Sequence, residues 1–209
     1  MTETEGTIRF AYALETPAGP VADGDTVDTV CGWRGVFRRL GLIGQDPDRY
    51  GGLGFGNLSS RDVDRPDEFI ITASQTAGAA ELTNEHLVRV VHSNPGRFWV
   101  DAVGHQPPSS ESLTHAMIYR ADRTIDWVFH VHGPEIWQRH DALALPATAE
   151  SVPYGSPAMV EAVARLLAEH VQRPVVFVTL GHQDGVFACG SSADATGSAL
   201  VSLLARVLM

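Results

Sequence analysis

Two histidines end an apolar run in the segment VFHVH, and both are residue types that bind metals. If the run is a strand, side chains alternate between its faces, so His130 and His132 point the same way. Two adjacent imidazoles can chelate one divalent cation, because zinc takes three or four nitrogen, oxygen or sulfur ligands. The alternative is that one or both are hydrogen-bonded histidines of the core. The pair therefore supports two interpretations, a metal site or a polar strand end.

A metal site needs a third ligand, and the segment TLGHQDG offers one in His182. This histidine also follows an apolar run, so two strand ends would converge on one ion. His182 could equally be a turn residue. Asp184 lies in the same turn and is a rival ligand.

A carboxylate precedes the histidine pair at the start of a predicted helix, which Ser109 or Ser110 caps and which runs to about Ala121. One interpretation of Glu111 is a capping residue, because a negative charge is stabilised at a helix N-terminus. The other is a carboxylate that faces the metal and moves protons, or a fourth ligand that substrate displaces. His115 lies one turn later on the same helix face. It either orients the glutamate or is a polar residue facing the core.

The elements that would position these residues follow from the hydrophobic pattern. Alternating and continuous apolar runs predict strands in EFIITAS, GRFWVDAVG, TIDWVFHVH, PVVFVTLG and GVFACG. Apolar residues at helical spacing predict helices in TVDTVCGWRGVFRRLGLIG, SPAMVEAVARLLAEHV and the C-terminal segment. Strands and helices mix without strict alternation, which favours one α/β domain over residues 1–209 around a mostly antiparallel sheet. Residues 1–24 are then an N-terminal extension or an edge strand.

Composition limits the function further. A length of 209 residues suits one sizeable core. The net charge of −10 disfavours a nucleic-acid binder, which needs a basic face. Cys31 and Cys189 form no CxxC motif, so free thiols in a reducing cytoplasm are expected. No apolar run is long enough for a membrane span, and the N-terminus lacks the apolar stretch of a signal peptide. The sequence thus predicts a cytoplasmic protein without nucleic-acid or membrane partners.

The motifs occur in the order found in the class II aldolase/adducin family, which the chain resembles from about Gly54 to Val207. They are GFGNLSSRD, FIITAS, LTNEHLV, PSSESLTHAMIY, VFHVH and LGHQDGVFACG. The combination is specific, whereas each motif alone is weak. The resemblance implies a three-layer αβα fold. It also implies a homotetramer that takes a small-molecule substrate at sites near the subunit interfaces.

The resemblance also implies roles for individual residues. The three histidines would bind a divalent cation, most often zinc, with Mn²⁺, Co²⁺ or Fe²⁺ as alternatives. Glu111 matches the acid/base glutamate, which is sometimes also a ligand. Five further positions match those that line the phosphate or anionic end of the substrate: Gly56, Asn57, Ser74, Ser109 and Ser110.

Three departures from the family pattern bear on these roles. Aldolases of the family usually have glycine where this chain has Gln75, so a side chain stands where backbone would meet phosphate. The late motif reads GHQDG, which places Asp184 in the slot before the glycine. No clear counterpart of the catalytic tyrosine of some aldolases is present. Tyr154 and Tyr119 are candidate proton donors, or structural residues.

The predicted function is a divalent-metal-dependent lyase of the aldolase type, in carbohydrate metabolism. Its substrate is a small hydroxycarbonyl or sugar-phosphate-like compound, which reacts through a metal-stabilised enediolate with Glu111 moving the proton. An epimerase, dehydratase or decarboxylase would use the same site. A third possibility is a non-catalytic scaffold like adducin, a branch expected to lose the metal ligands that this chain keeps.

Overall fold

The protein is described by a computed structural model over residues 5–209. The helices are α1 (Gly24–Arg39), α2 (Ser112–Ala121), α3 (Pro134–Gln138), α4 (Pro157–Glu169) and α5 (Ala193–Leu208). The strands are β1 (Ala11–Glu15), β2 (Gly44–Gln45), β3 (Gly54–Phe55), β4 (Asn57–Arg61), β5 (Phe69–Thr72), β6 (Leu87–Asn94), β7 (Trp99–Gly104), β8 (Trp127–His132), β9 (Ala147–Thr148), β10 (Val175–Thr179) and β11 (Gly185–Gly190). Within these residues no helix is long and apolar enough to cross a membrane.

Nine strands form one sheet in the order β1-β7-β6-β5-β4-β8-β11-β10-β9, and β2 pairs with β3 separately. Only the two outermost pairs of the large sheet, β1 with β7 and β9 with β10, are parallel. The remaining pairs are antiparallel. The predicted mostly antiparallel sheet is confirmed, and β1 lies at its outer edge.

Helices cover both faces of the sheet. One apolar cluster joins strand residues to α2 and α4. The other joins the opposite strand face to α1, α3 and α5. In β8, Val128 belongs to the first cluster, whereas Phe129 and Val131 belong to the second. This alternation follows from the two-residue period of a strand. The three-layer αβα arrangement is therefore confirmed.

Most long helices begin where capping rules place them. The side chains of Asp23, Ser156 and Ser192 accept hydrogen bonds from backbone N–H groups in the first turns of α1, α4 and α5. Pro157 occupies the first position of α4, where its missing N–H costs nothing.

The predicted serine cap of α2 is wrong. Glu111 itself is the N-cap residue, and it makes no side-chain capping hydrogen bond. Ser109 contributes its carbonyl, which accepts from the N–H of Ser112 at 3.0 Å. The physical reason is that the Glu111 carboxylate turns into the protein toward the histidines, so that it cannot bond its own helix.

The centre of the sheet carries the candidate site. Strand β8 lies between β4 and β11, and its register places His130 opposite both Asn57 and Phe187. His132 lies opposite Gly185 at the start of β11. The two cysteines are free thiols, as expected.

Candidate metal centre

Three histidines meet at the ends of β8 and β10. His130 and His132 come from β8, and His182 comes from the turn between β10 and β11. One ring nitrogen from each lies within 4.8 Å of the others, and all three residues are buried. The two β8 rings have centroids 5.0 Å apart, so they share a strand face. The structure thus brings the three predicted ligands into one cluster.

The ring of His130 is oriented for a ligand at its Nε2 atom. Its Nδ1 lies 3.3 Å from the carbonyl oxygen of Val186, to which a protonated Nδ1 donates. Such a bond fixes the tautomer and leaves Nε2 with a free lone pair. That Nε2 has no partner in hydrogen-bond geometry, although a Glu111 oxygen lies 2.9 Å away.

His132 has two buried ring nitrogens, and neither has a hydrogen-bond partner within residues 5–209. The rings of Tyr50 and Phe55 pack around it at 4.6 and 5.5 Å. Burial, with His182 and His130 nearby, holds the pKa of His132 well below its usual range, so the imidazole is neutral. Buried polar atoms without partners are rare and costly. A cation bound to this imidazole would satisfy one of them.

His182 faces two carboxylates. Its Nδ1 lies 3.4 Å from a Glu111 oxygen, and its Nε2 lies 2.7 Å from Oε2 of Glu5. Burial alone lowers the pKa of His182, but hydrogen bonds to these carboxylates and their charges outweigh it and raise the pKa to about 10. Asp184, the alternative ligand, is hydrogen-bonded to a residue outside the histidine cluster. Its carboxylate accepts a 2.6 Å hydrogen bond from the hydroxyl of Tyr50.

Glu111 is buried between His130 and His182. Its desolvation favours the neutral acid, but the charges and contacts of the two histidines outweigh this and hold its pKa well below the usual range. The side-chain amide of Asn57 donates to its Oε2 at 3.0 Å. Asn57 thus has the orienting contact that the sequence suggested for His115.

His115 belongs to a buried hydrogen-bond network next to the histidine cluster. Its Nδ1 lies 2.7 Å from the hydroxyl of Ser59, which in turn lies 2.7 Å from the hydroxyl of Tyr119. Burial lowers the pKa of His115 to about 3, so the ring is neutral. Of the two candidate proton donors, Tyr119 is part of this buried network and of the core cluster around it.

Tyr154 is the candidate donor that reaches the histidines. Its ring centroid is 4.2 Å from that of His182, and its hydroxyl donates to Ser110. Burial, together with Glu111 and Glu5, raises the pKa of Tyr154 well above its usual value, so the phenol keeps its proton. Its backbone N–H donates to the carbonyl of Gly181. A Cβ on Gly181 would lie 1.7 Å from the carbonyl oxygen of Val152, so only glycine fits against this segment.

The predicted substrate residues line one small cavity beside the cluster. All five are present: Gly56, Asn57, Ser74, Ser109 and Ser110. Its volume of about 20 Å³ is close to that needed for one water molecule. Gln75 also lines it, and its side-chain amide accepts from the N–H of Gly54 at 2.9 Å and donates to the carbonyl of the same residue at 3.4 Å.

A larger cavity of about 700 Å³ opens on the other side of Glu5. Its lining joins Tyr154 and His182 to residues 48–53, with Arg49 as the single basic side chain other than histidine. Three carboxylates face the same space, those of Glu5, Asp48 and Asp184. The approach to the histidines is therefore acidic among the described residues.

Sequence reasoning missed two residues of the centre. Glu5 lies in an acidic N-terminal stretch without motif or period, and Tyr50 lies in a glycine-rich segment. Both reach the site only through long-range packing. No local signal in the sequence indicates either.

The chain is thus a three-layer α/β domain that gathers three buried histidines and a carboxylate at the centre of its sheet. A family model described as "Class II Aldolase and Adducin N-terminal domain" matches residues 48–205. The chain belongs to this family. No curated protein gives a significant sequence match.

Solved structures support the same fold. An L-fuculose 1-phosphate aldolase is 17% identical, with a TM-score of 0.64 over 89% of this chain and 84% of that one. A sugar-phosphate aldolase from Thermotoga maritima is 15% identical, with a TM-score of 0.61 over 88% and 92%. YgbL from Klebsiella pneumoniae, described as an aldolase/epimerase/decarboxylase, is 16% identical, with a TM-score of 0.62 over 88% and 86%. At such identities the likeness establishes the fold alone.

Proposed function

We propose that the protein is a divalent-metal-dependent lyase of the aldolase type that acts on a small hydroxycarbonyl compound. The observation that supports this most is the buried three-histidine cluster, with unpartnered ring nitrogens and an ionised Glu111 beside it. An epimerase, dehydratase or decarboxylase would need the same groups. A non-catalytic scaffold would not need a buried carboxylate held against the histidines.

The donor set fits a divalent cation. His130, His132 and His182 would hold it, and nitrogen donors of this kind suit zinc, with Mn²⁺, Co²⁺ or Fe²⁺ as alternatives. When bound, the cation supplies Lewis-acid stabilisation of negative charge that develops on a substrate oxygen. The unpartnered nitrogens of His130 and His132 are the atoms that such an ion would satisfy.

Glu111 is positioned to move the proton. It is ionised and buried, and the amide of Asn57 holds one of its oxygens. A base in this position takes a proton from the carbon or hydroxyl of a substrate next to the histidines. Tyr154, which keeps its own proton and touches the ring of His182, is the proposed donor to the leaving fragment.

The charges around the site favour a substrate without phosphate. Among the residues that the structure describes, no lysine or arginine lines the small cavity of the five predicted contact residues. The large cavity has Arg49 alone against three carboxylates. The guanidinium of Arg49 is already bonded to a carbonyl and to the hydroxyl of Tyr50. A phosphate group binds where several hydrogen-bond donors or cations surround it, and these cavities offer few such groups.

Exchange of a carbon-bound proton tests the proposal without knowledge of the natural substrate. Wild-type protein loaded with Zn²⁺ or Co²⁺ is expected to exchange the α-protons of dihydroxyacetone with D₂O, followed by NMR. Glu111→Gln should keep the metal and lose about 10²–10⁴-fold of the exchange rate, the usual contribution of a positioned acid or base.

Two controls make the exchange experiment decisive. His130→Ala should lose both metal and exchange, because it removes a ligand. Metal-stripped wild-type protein should be inactive and regain activity with added cation. Full exchange by Glu111→Gln, or by protein without metal, would contradict the proposed function.

A further inference from the structure

The N-terminal segment, residues 5–10, brings a second carboxylate to the histidine cluster. Oε2 of Glu5 lies 2.7 Å from Nε2 of His182 and 3.7 Å from Nε2 of His132. Its side chain is only 10% exposed. A carboxylate buried among imidazoles is costly unless it is paired with a positive charge or a cation.

Glu5 is close enough to two of the histidines for its carboxylate to reach an ion bound between them. Metal–ligand bonds of about 2.1 Å place two ligand atoms of a tetrahedral ion about 3.4 Å apart. Oε2 of Glu5 lies 3.7 Å from Nε2 of His132, which is close to that value. Its 2.7 Å contact with Nε2 of His182 is a direct hydrogen bond, which would lengthen when both atoms bind one ion. Glu111 contacts the other ring nitrogen of His182: its Oε2 lies 2.9 Å from Nε2 of His130, and its Oε1 lies 3.4 Å from Nδ1 of His182. The two carboxylates approach the histidines from different segments of the chain.

The segment that carries Glu5 is anchored to the domain. Phe10 is buried in the core, and Ile8 packs against the same cluster. The guanidinium of Arg9 donates to the carbonyl of Tyr154 at 2.8 Å. Gly6 has a φ of 67°, and a Cβ there would lie 2.0 Å from the amide nitrogen of Gln75. The positive φ favours glycine at the turn that directs Glu5 inward.

We propose that Glu5 is a further ligand of the cation at this centre, supplied by the N-terminal segment, and that a chelating substrate displaces it. This inference rests on the proposed function, because it requires a cation at the three histidines. Glu5 lies between the large and the small cavity and lines both. Its withdrawal would join the two spaces and free a coordination position for the substrate.

Metal affinity tests the ligand role without any assay of activity. Metal-stripped protein is titrated with Co²⁺, and both the dissociation constant and the visible absorption of the bound ion are measured. Glu5→Gln should weaken binding about tenfold or more, because removal of even an outer contact of a metal site costs about 10–100-fold. The absorption should also change, since the ligand set changes.

Two matched variants separate coordination from charge. Glu15→Gln removes the same charge from an exposed position of β1 and should bind Co²⁺ as the wild type does. Glu5→Asp keeps the charge but shortens the reach, so a ligand role predicts weakened binding here too. Wild-type affinity in Glu5→Asp together with weak binding in Glu5→Gln would indicate charge attraction and overturn the ligand role.

Displacement is tested with acetohydroxamate, a small chelator with adjacent oxygens. The Co²⁺ form of Glu5→Gln should bind it at least about threefold more tightly than the wild type, because no carboxylate must leave. Equal or weaker binding overturns displacement. If the wild-type protein binds no cation, the proposed function itself is contradicted. If wild type and Glu5→Gln bind Co²⁺ equally, only the ligand role of Glu5 is contradicted.

Discussion

At the scale of residues, the centre is a set of ionisable groups that hold one another in defined charge states. Glu111 is ionised because the histidines outweigh its burial, and His132 is neutral because it is buried. His182 lies between Glu111 and Glu5 and carries a proton at neutral pH. A cation needs the lone pair of His182, so metal and proton compete for the same atom.

This competition predicts proton release on metal binding. The pKa of His182 rises from 6.5 to about 10 in the folded, metal-free protein. Its contribution to stability is therefore complete below pH 6.5 and is lost as pH rises through about 10. Metal uptake at pH 7.5 should release about one proton from His182, and metal affinity should increase with pH. Calorimetry in two buffers of different ionisation enthalpy measures the release; identical heats in both buffers would contradict it.

At the scale of elements, stacked rings from β10 and β11 support His130 of β8. Phe177 of β10 stacks on Phe187 of β11 at 5.2 Å with an angle of 4° between planes. Phe187 stacks on His130 at 4.3 Å. These contacts give the ligand ring a fixed support, because aromatic pairs prefer defined geometries.

Removal of the lowest ring in this stack should destabilise the sheet. Phe177 is fully buried, so Phe177→Ala should lower the free energy of unfolding of the metal-free protein by about 3–5 kcal/mol. Val171→Ala, at a position 77% exposed, should change it by less than about 0.5 kcal/mol. Urea denaturation measures both. A loss of less than about 1 kcal/mol for Phe177→Ala would mean that the stack is not a support.

At the scale of the whole molecule, charge decides which substrates approach. The net charge is −10, and three of the carboxylates line the large cavity. Such a field repels anions and slows their association. The single-domain organisation over residues 1–209, the homotetramer with sites at subunit interfaces and the cytoplasmic location stay predictions.

The negative electrostatic field of the protein predicts a measurable preference for uncharged over phosphorylated substrates. Proton exchange should be faster, in kcat/KM, for dihydroxyacetone than for dihydroxyacetone phosphate, by about tenfold at low salt. The gap should narrow at high ionic strength, because salt screens the repulsion of the phosphate. The same NMR assay serves for both compounds. A preference for the phosphorylated compound would contradict an unphosphorylated substrate while leaving the metal centre intact.

Much of the fold and part of the site follow from local sequence patterns. The two-residue period of a strand places His130 and His132 on one face whatever the fold around them. Serine, aspartate and proline at helix starts set the ends of α1, α4 and α5 through short-range hydrogen bonds. The capping rule does not predict the start of α2, because the carboxylate of Glu111 has stronger partners outside its helix.

By itself, the sequence determined the alternating strands, the amphipathic helices and the residue types able to bind a cation, because these depend on neighbours along the chain. Only the tertiary structure decided that Asp184 bonds Tyr50, that Asn57 rather than His115 holds Glu111, and that the side chain of Gln75 bonds the backbone of Gly54. The same holds for Glu5, which is 177 residues from His182 in the chain and 2.7 Å from it in space. Such contacts depend on the packing of distant segments, which no local pattern records.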